Sequence, residues 1–229
     1  MSVSICIPTY NRKRFEKLIE YNINIQLYPY IKEIIIADDG NEELVLDVHY
    51  PIRYIKLPKR ITIGAKRNLL ACQATGEYIA HMDTDDFYNK NYIMYGMMCL
   101  KSGMQMFGSS SMLITYPSHN WKLCASVCGD LHKANEATFI YTKSFWKKQR
   151  FGNTSQGEGQ AFLKGREDQI FSGDIEHIMI CVAHDDNTIC KQRWLSNEIS
   201  IDSWFEEHKK IYNNSICQLQ QINPMLLKA

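Results

Sequence analysis

A chain of 229 residues that is 45% apolar suits one core-forming domain and is too hydrophobic to stay disordered. Its 26 Lys and Arg against 25 Asp and Glu leave a formal charge of +1, without the basic excess of a dedicated nucleic-acid binder. No apolar run reaches the roughly 18–20 residues of a transmembrane segment.

Val3–Ile7 opens the chain as a short continuous apolar run whose charges come after it. That pattern predicts a strand buried on both faces, ended by Pro8, and not an export signal. Asn11 is placed to cap a helix carrying Phe15, Leu18, Ile19 and Ile23 on one face, closed by Pro29. Glu33–Ala37 is a second buried strand, stopped by Asp38-Asp39-Gly40, so the first three elements form a βαβ unit with parallel strands. Ile52–Leu57 reads as a third strand, Lys66–Thr75 as a helix closed by Gly76, and Glu77–Met82 as a fourth strand running into Asp83-Thr84-Asp85-Asp86. Tyr92–Leu100 reads as a helix, with its Met run given to core packing. Beyond it, Met112–Tyr116, Thr138–Thr142 and Ile178–Val182 read as strands. Near the end, Trp204, His208, Ile211, Tyr212, Ser215 and Leu219 share a helical face. No linker is visible, so residues 1–229 are one α/β domain: a front half over 1–103 and a back half over 104–229 ending in that helix. Eight scattered cysteines without a CxxC pair, and no export signal, read as reduced thiols of a cytoplasmic protein.

Open α/β sheets bind ligands beyond the carboxyl ends of their strands. Pro8-Thr9-Tyr10, Asp38-Asp39-Gly40, Gly64–Asn68 and Asp83–Asp86 all sit at such places. The last is the sharpest. Three carboxylates within four residues repel each other unless a cation or hydrogen bonds compensate, and Asp83 and Asp85 can converge in an extended segment. Acids at a helix N-terminus would look the same, and Asp-Asp-Gly after a strand is commonly a plain turn. The segment from Gly152 to Gly159 has the composition of a lid, an acceptor loop or a simple connector. Trp121, Trp146 and Trp204 could stack on a sugar or fill a core.

VSICIPTYNR, EIIIADDG, IGAKRNLLACQATGEYIAHMDTDDF and FLKGREDQIF follow one another in an order that resembles the inverting family 2 glycosyltransferases. The resemblance runs over roughly residues 1–185, is strongest in the first 90, and extends to glycosyltransferases of large DNA viruses. It implies the GT-A fold, a Rossmann-like, mostly parallel sheet flanked by helices, with a nucleotide-sugar half followed by an acceptor half. It implies transfer with inversion from a nucleotide-sugar donor, UDP by family habit, to a glycan or glycoprotein acceptor, assisted by Mn2+ or Mg2+. By position, Pro8, Thr9 and Tyr10 match the loop around base and ribose, Asp38 or Asp39 the acid on the base, and Lys66, Arg67 and Asn68 the segment reaching base or diphosphate. Asp83 matches the ribose contact, Asp85 the metal ligand with Asp86 behind it, and His184 a further metal ligand from a late strand end. Asp168 matches the base that deprotonates the acceptor, with Glu167 beside it on the acceptor. The alternatives are an inactive nucleotide-sugar-binding module and a nucleotidyltransferase. The latter would carry a Gly-rich basic loop where PTYNRKR stands, and would release pyrophosphate.

Overall fold

The continuous apolar runs become the centre of a sheet covered on both sides. A computed structural model describes residues 1–126, 128–199 and 206–222. In chain order the strands are β1 (Val3–Thr9), β2 (Ile31–Asp38), β3 (Ile52–Lys56), β4 (Tyr78–His81), β5 (Phe87–Tyr88), β6 (Met106–Gly108), β7 (Met112–Tyr116), β8 (Lys122–Ser126), β9 (Ile140–Thr142), β10 (Ile170–Ser172) and β11 (Met179–Val182). The helices are α1 (Glu16–Asn24), α2 (Ile63–Gln73), α3 (Tyr92–Leu100), α4 (Lys143–Lys148), α5 (Glu158–Leu163) and α6 (Glu206–Ile222). The main sheet has the order β10-β6-β9-β4-β1-β2-β3, with β9 antiparallel to its neighbours and every other pairing parallel. A second sheet has the order β5-β11-β7-β8.

Side chains alternate across a strand, so each central strand feeds two cores. Ile5, Ile7, Ile34 and Ile36 pack with Phe15, Leu18, Ile19 and Ile23 of the α1 region and with Tyr92, Ile93 and Met97 of α3. Cys6, Ile35, Ala37 and Ile79 face Leu70 and Ala71 of α2 and an aromatic group including Phe139, Tyr141, Phe145, Trp146 and Phe162. Both faces are therefore dry, which is why these strands read as unbroken apolar runs. No helix among the described residues is long and apolar enough to cross a membrane.

Some boundaries differ from the sequence reading. Pro8 does not end β1, because Pro8 and Thr9 still pair with Ala37 and Asp38. Asn11 does not cap α1: it takes a left-handed conformation (φ 50°), and its Oδ1 accepts the Asn41 N–H at 2.7 Å. The α2 helix begins at Ile63, three residues early, because Thr62 Oγ1 caps it by accepting the Ala65 N–H at 3.2 Å. Gly64 at that start lies against the next layer, where a Cβ would meet the Gly152 carbonyl oxygen at 1.8 Å. On α6, Tyr212, Ser215 and Leu219 are buried as their spacing predicts, whereas Trp204 and the side chain of His208 lie outside the described residues.

Glu33 ties β2 to β1 and to the turn before β4. Its Oε1 accepts from Ser4 Oγ (2.8 Å), Thr75 N (2.7 Å) and Thr75 Oγ1 (2.7 Å). Burial alone would raise its pKa, but the Thr75 and Ser4 bonds and Arg53 outweigh it and hold the carboxyl below its ordinary value. A carboxyl depressed by folding adds stability that is complete above its unfolded pKa, near 4.3, and is lost as pH falls through the folded value. Urea unfolding from pH 7 to 3 should therefore show a shallower acid-side loss for Glu33→Gln than for the parent. Parallel curves would contradict the assignment.

Candidate active site

The carboxyl ends of β1 and β4, the start of α2 and the loop after β11 enclose a cleft of about 530 Å³. Strand register places it there, since Cys6 of β1 pairs with His81 of β4 and the two chains then diverge into Pro8–Arg12 and Asp83–Asp85. Pro8, Thr9, Tyr10, Lys66, Asp83 and Asp85 all line this cleft, as do two cations, Arg12 and Arg60. The Arg60 guanidinium lies 4.0 Å from the centre of the Tyr10 ring. This pairing places positive charge over an aromatic plate.

His184 meets Asp85 at the far wall, Nε2 to Oδ2, at 2.9 Å. Its Nδ1 accepts from the Asp186 N–H (3.2 Å) and from Arg14 Nη2 (3.0 Å), which leaves Nε2 to donate to Asp85, with Asn187 Nδ2 at 2.8 Å from the same ring nitrogen. Asn187 Nδ2 (3.4 Å) and Arg12 Nη2 (3.5 Å) also face Asp85 Oδ2. Burial would raise the Asp85 pKa, but His184 and Arg12 hold it well below the usual carboxylate range. Asp85 and His184 are the pair that would hold an ion here, which would take the place of the hydrogen now shared between them. One oxygen and one nitrogen donor form a set suited to manganese. Asp86, in contrast, turns inward, and its Oδ1 accepts the Val182 N–H at 3.2 Å.

A second cleft of about 360 Å³ adjoins the first and shares Ile63, Asp83, Asp85, Ser155, Asn187 and Thr188 with it. The two are arms of one groove with Asp83 and Asp85 in the common wall. Arg67 organises the second arm. Its Nη1 and Nη2 grip Asp83 Oδ1 and Oδ2 at 3.1 Å each, and its Nε donates to Glu158 Oε1 at 3.0 Å. Burial opposes its charge, but Asp83 and Glu158 more than compensate and raise its pKa. His81 lies beneath. Its Nδ1–H donates to the Glu136 carbonyl at 2.7 Å, and its Nε2 accepts from the Tyr141 hydroxyl at 3.0 Å. Burial and Arg67 push its pKa well down, so the ring is neutral.

Several residues singled out in the sequence lie away from both arms. Asp38 and Asp39 have side chains with no exposed surface. Asp38 accepts from Gly40 N, Tyr54 Oη and Lys56 Nζ, and Asp39 from Lys66 Nζ and Ile61 N. Every oxygen of the pair has a partner that braces the strand ends, and with no exposed side-chain surface neither carboxylate opens on the cleft. Lys66 does line the first cleft, but its Nζ is held by Asp39 (2.7 Å) and the Thr9 carbonyl (2.9 Å). Asn68 is turned away from the cleft: its Oδ1 accepts from Trp146 Nε1 and Phe151 N, and its Nδ2 donates to the Phe151 carbonyl.

The largest correction concerns Asp168 and Glu167. Both lie in a 3-10 turn that leads into the amino end of β10. Through Gln169, Gln105 and Thr142 that turn is level with Tyr78, at the opposite edge of the sheet from Asp83. With five residues of strand rise and three inter-strand spacings between them, Asp168 stands on the order of 20 Å from Asp83. A base must reach the reacting proton within hydrogen-bond distance. Asp168 is exposed and lines neither arm, and Glu167 Oε1 accepts from Gly165 N at 3.0 Å.

Other residues of the groove carry little sequence signal. Glu158 belongs to the Gly-rich segment, which is not a free loop: Thr154 O accepts the Gly64 N–H at 2.9 Å, and Ser155 Oγ accepts the Ile63 N–H at 3.2 Å. Glu136 lies in an isolated 3-10 turn and Trp194, 3.8 Å from Arg193, in another; neither turn is long enough to show a period. Trp146 is a core residue at 2% exposure, and Trp121 is buried as well.

Comparison with known proteins supplies the relatives of this architecture. The profile of Glycosyl transferase family 2 matches residues 4–151. The uncharacterized glycosyltransferase YwdF of Bacillus subtilis is 27% identical over 184 residues, 77% of this chain and 64% of that protein. The abequosyltransferase RfbV of Salmonella typhimurium is 36% identical over 103 residues, 40% of this chain and 30% of that protein. The chain thus spans less than two thirds of either relative's length. Among solved structures, Staphylococcus aureus TarS 1–349 in complex with UDP-GlcNAc superposes with a TM-score of 0.60 at 16% identity, covering 96% of this chain and 67% of that one. At that identity the likeness shows the fold.

Proposed function

The chain belongs to glycosyl transferase family 2, and from that premise we propose that it transfers a sugar from a nucleoside diphosphate donor to an acceptor hydroxyl, with inversion. The observation that carries this reading is the two-armed groove with Asp83 and Asp85 in its shared wall. A donor in the first arm presents its anomeric carbon at that wall, and an acceptor in the second arm approaches from the other side, as an in-line displacement requires. UDP is the first nucleotide to test, because the TarS neighbour was solved with UDP-GlcNAc and with UDP. A glycan or glycoprotein is the acceptor that the family membership favours.

The chain's own residues divide the work. Tyr10 and Pro8 bound the nucleoside end of the donor arm, while Arg12 and Arg60 place positive charge beside the diphosphate. Asp83, held by both Arg67 nitrogens and 27% exposed in the shared wall, is the residue that would meet the ribose. Asp85 and His184 are the residues that would hold a divalent ion, Mn2+ or Mg2+. When bound, such an ion supplies charge that stabilises a departing diphosphate.

A thermal-unfolding panel of UDP, GDP, CDP and dTDP with and without Mn2+ tests the reading. A ligand at a hundredfold excess over its Kd adds about 2.7 kcal/mol, or about 5–10 °C for a chain of this size. UDP with Mn2+ should give that shift, and EDTA should abolish it. No shift with any of the four nucleotides would refute the reading.

A further inference from the structure

The second arm holds five acidic side chains: Asp83, Asp85, Asp86, Glu136 and Glu158. Three are ion-paired, Asp83 and Glu158 with Arg67 and Asp85 with Arg12 and His184. Asp86 and Glu136 have no cation within ion-pair distance among the described residues, and each has a single backbone donor, Val182 N at 3.2 Å for Asp86 and Gly159 N at 2.9 Å for Glu136 Oε1. Burial separates the two: Asp86 is closed in at 5% exposure, whereas Glu136 is only half-buried and opens on the arm. We propose that Glu136 is the catalytic base of the acceptor arm, its carboxylate receiving the proton of the acceptor hydroxyl. This rests on the glycosyl-transfer reading above.

The surroundings hold the group in place for that task. Asn135 Oδ1 caps the turn by accepting the Ala137 N–H at 3.1 Å, and His81 clamps the Glu136 carbonyl. The Tyr88 hydroxyl accepts the Asp83 N–H at 2.8 Å and donates to the Ala137 carbonyl at 3.1 Å, so the turn is tied directly to the acidic segment of the shared wall. Space for the carboxylate exists because residue 159 is glycine. A Cβ there would meet Glu136 Cγ and Oε1, each at 2.8 Å.

In the step proposed, the acceptor O–H bond breaks and its proton moves to Glu136. The oxygen's electron pair forms the new bond to the anomeric carbon. The bond from that carbon to the diphosphate oxygen breaks, and its electron pair leaves with the nucleoside diphosphate. Burial and the adjacent Glu158 push the Glu136 pKa up to about 7, with Arg67 acting in the other direction. A base is most effective when its pKa lies near the working pH. The charged groups that line the same arm are Glu158 of α5, Arg67 of α2, Asp83, Asp85 and Asp86 after β4, Lys133 in the preceding turn, and Lys191 and Arg193 beyond β11, and His81 of β4 is neutral.

The test uses the full chain with Mn2+, UDP for binding, and UDP-GlcNAc and UDP-glucose for turnover measured as UDP release. Glu136→Gln should bind UDP as the parent does, which also reports that it is folded. Its turnover should fall about 10²–10⁴-fold, the usual contribution of a positioned base. Glu136→Asp should recover part of the loss, and the parent's kcat should rise with pH through a limb near 7 that Glu136→Gln lacks. A readout without turnover is the carbon-13 carboxyl titration of Glu136, assigned by its absence in Glu136→Gln and expected to have its midpoint near 7. Parent-like turnover in Glu136→Gln, or a midpoint at the ordinary value near 4.3, would overturn the proposal and leave the transfer reading standing. Failure of the parent itself to bind any nucleoside diphosphate would instead refute the transfer reading.

Discussion

Asp85→Asn should lower turnover about 10²–10³-fold while leaving the folded structure in place. The substitution keeps the shape of the side chain and removes the charge that faces His184 Nε2 at 2.9 Å and Arg12 at 3.5 Å. Removing one group that stabilises developing charge at a reacting centre costs about 2.7–4 kcal/mol of barrier. Because Asp85 is assigned to the divalent ion, the variant should also lose the Mn2+ dependence of UDP binding, so that its melting temperature in UDP is the same with the ion and with EDTA. Because His184 and Arg12 hold the Asp85 pKa below the ordinary carboxylate range, its charge also adds stability at neutral pH, so the ligand-free melting temperature should fall and the ion-dependent shift is read against the variant's own ligand-free value. A variant that kept full activity and the ion-dependent shift would remove Asp85 from the site.

Arg67→Met should have the largest effect on stability. Arg67 is 3% exposed, and it is the cation shared by Asp83 and Glu158 at 3.0–3.1 Å. Deleting one partner of a buried charge network leaves the remaining charges without compensation, at a cost of about 3–5 kcal/mol. For a chain of this length that corresponds to a fall of about 6–20 °C in melting temperature. Neutralising the partners as well, with Asp83→Asn and Glu158→Gln, should recover much of the loss, because the penalty comes from the orphaned carboxylates and not from the missing arginine. Unfolding monitored by circular dichroism decides this. A loss in Arg67→Met below about 1 kcal/mol, the worth of an exposed pair, would show that the network is solvated.

The first half of the fold could be read from the sequence because its physics is local. Buried parallel strands leave unbroken apolar runs such as Glu33–Ala37, and the Tyr92–Leu100 helix and the Met112–Tyr116 strand have the bounds that their patterns predict. Strands β5, β6 and β10, with two or three residues each, are too short to show a period, and tertiary pairing alone defines them. The site divides in the same way. That Asp83, Asp85 and His184 come together could be read ahead because strand ends converge by topology. Asp38, Asp39, Lys66 and Asn68 also lie at strand ends or at the start of a helix, but their partners come from elsewhere in the chain, and the pattern cannot tell a bracing carboxylate from a ligand-binding one. Asp168 looked like a base because of its Glu-Asp pairing, whereas its position depends on β10 joining the sheet in the direction of β6. Glu136 had no sequence signal, since its role arises from a glycine 23 residues away that leaves room for its carboxylate.

A crystal soaked with Mn2+ and UDP should show an anomalous peak within bonding distance of both Asp85 Oδ2 and His184 Nε2, with the diphosphate beside it and the uracil end toward Tyr10. A well-ordered nucleotide or ion bound elsewhere, with Asp85 still hydrogen-bonded to His184, would rule out this ion site.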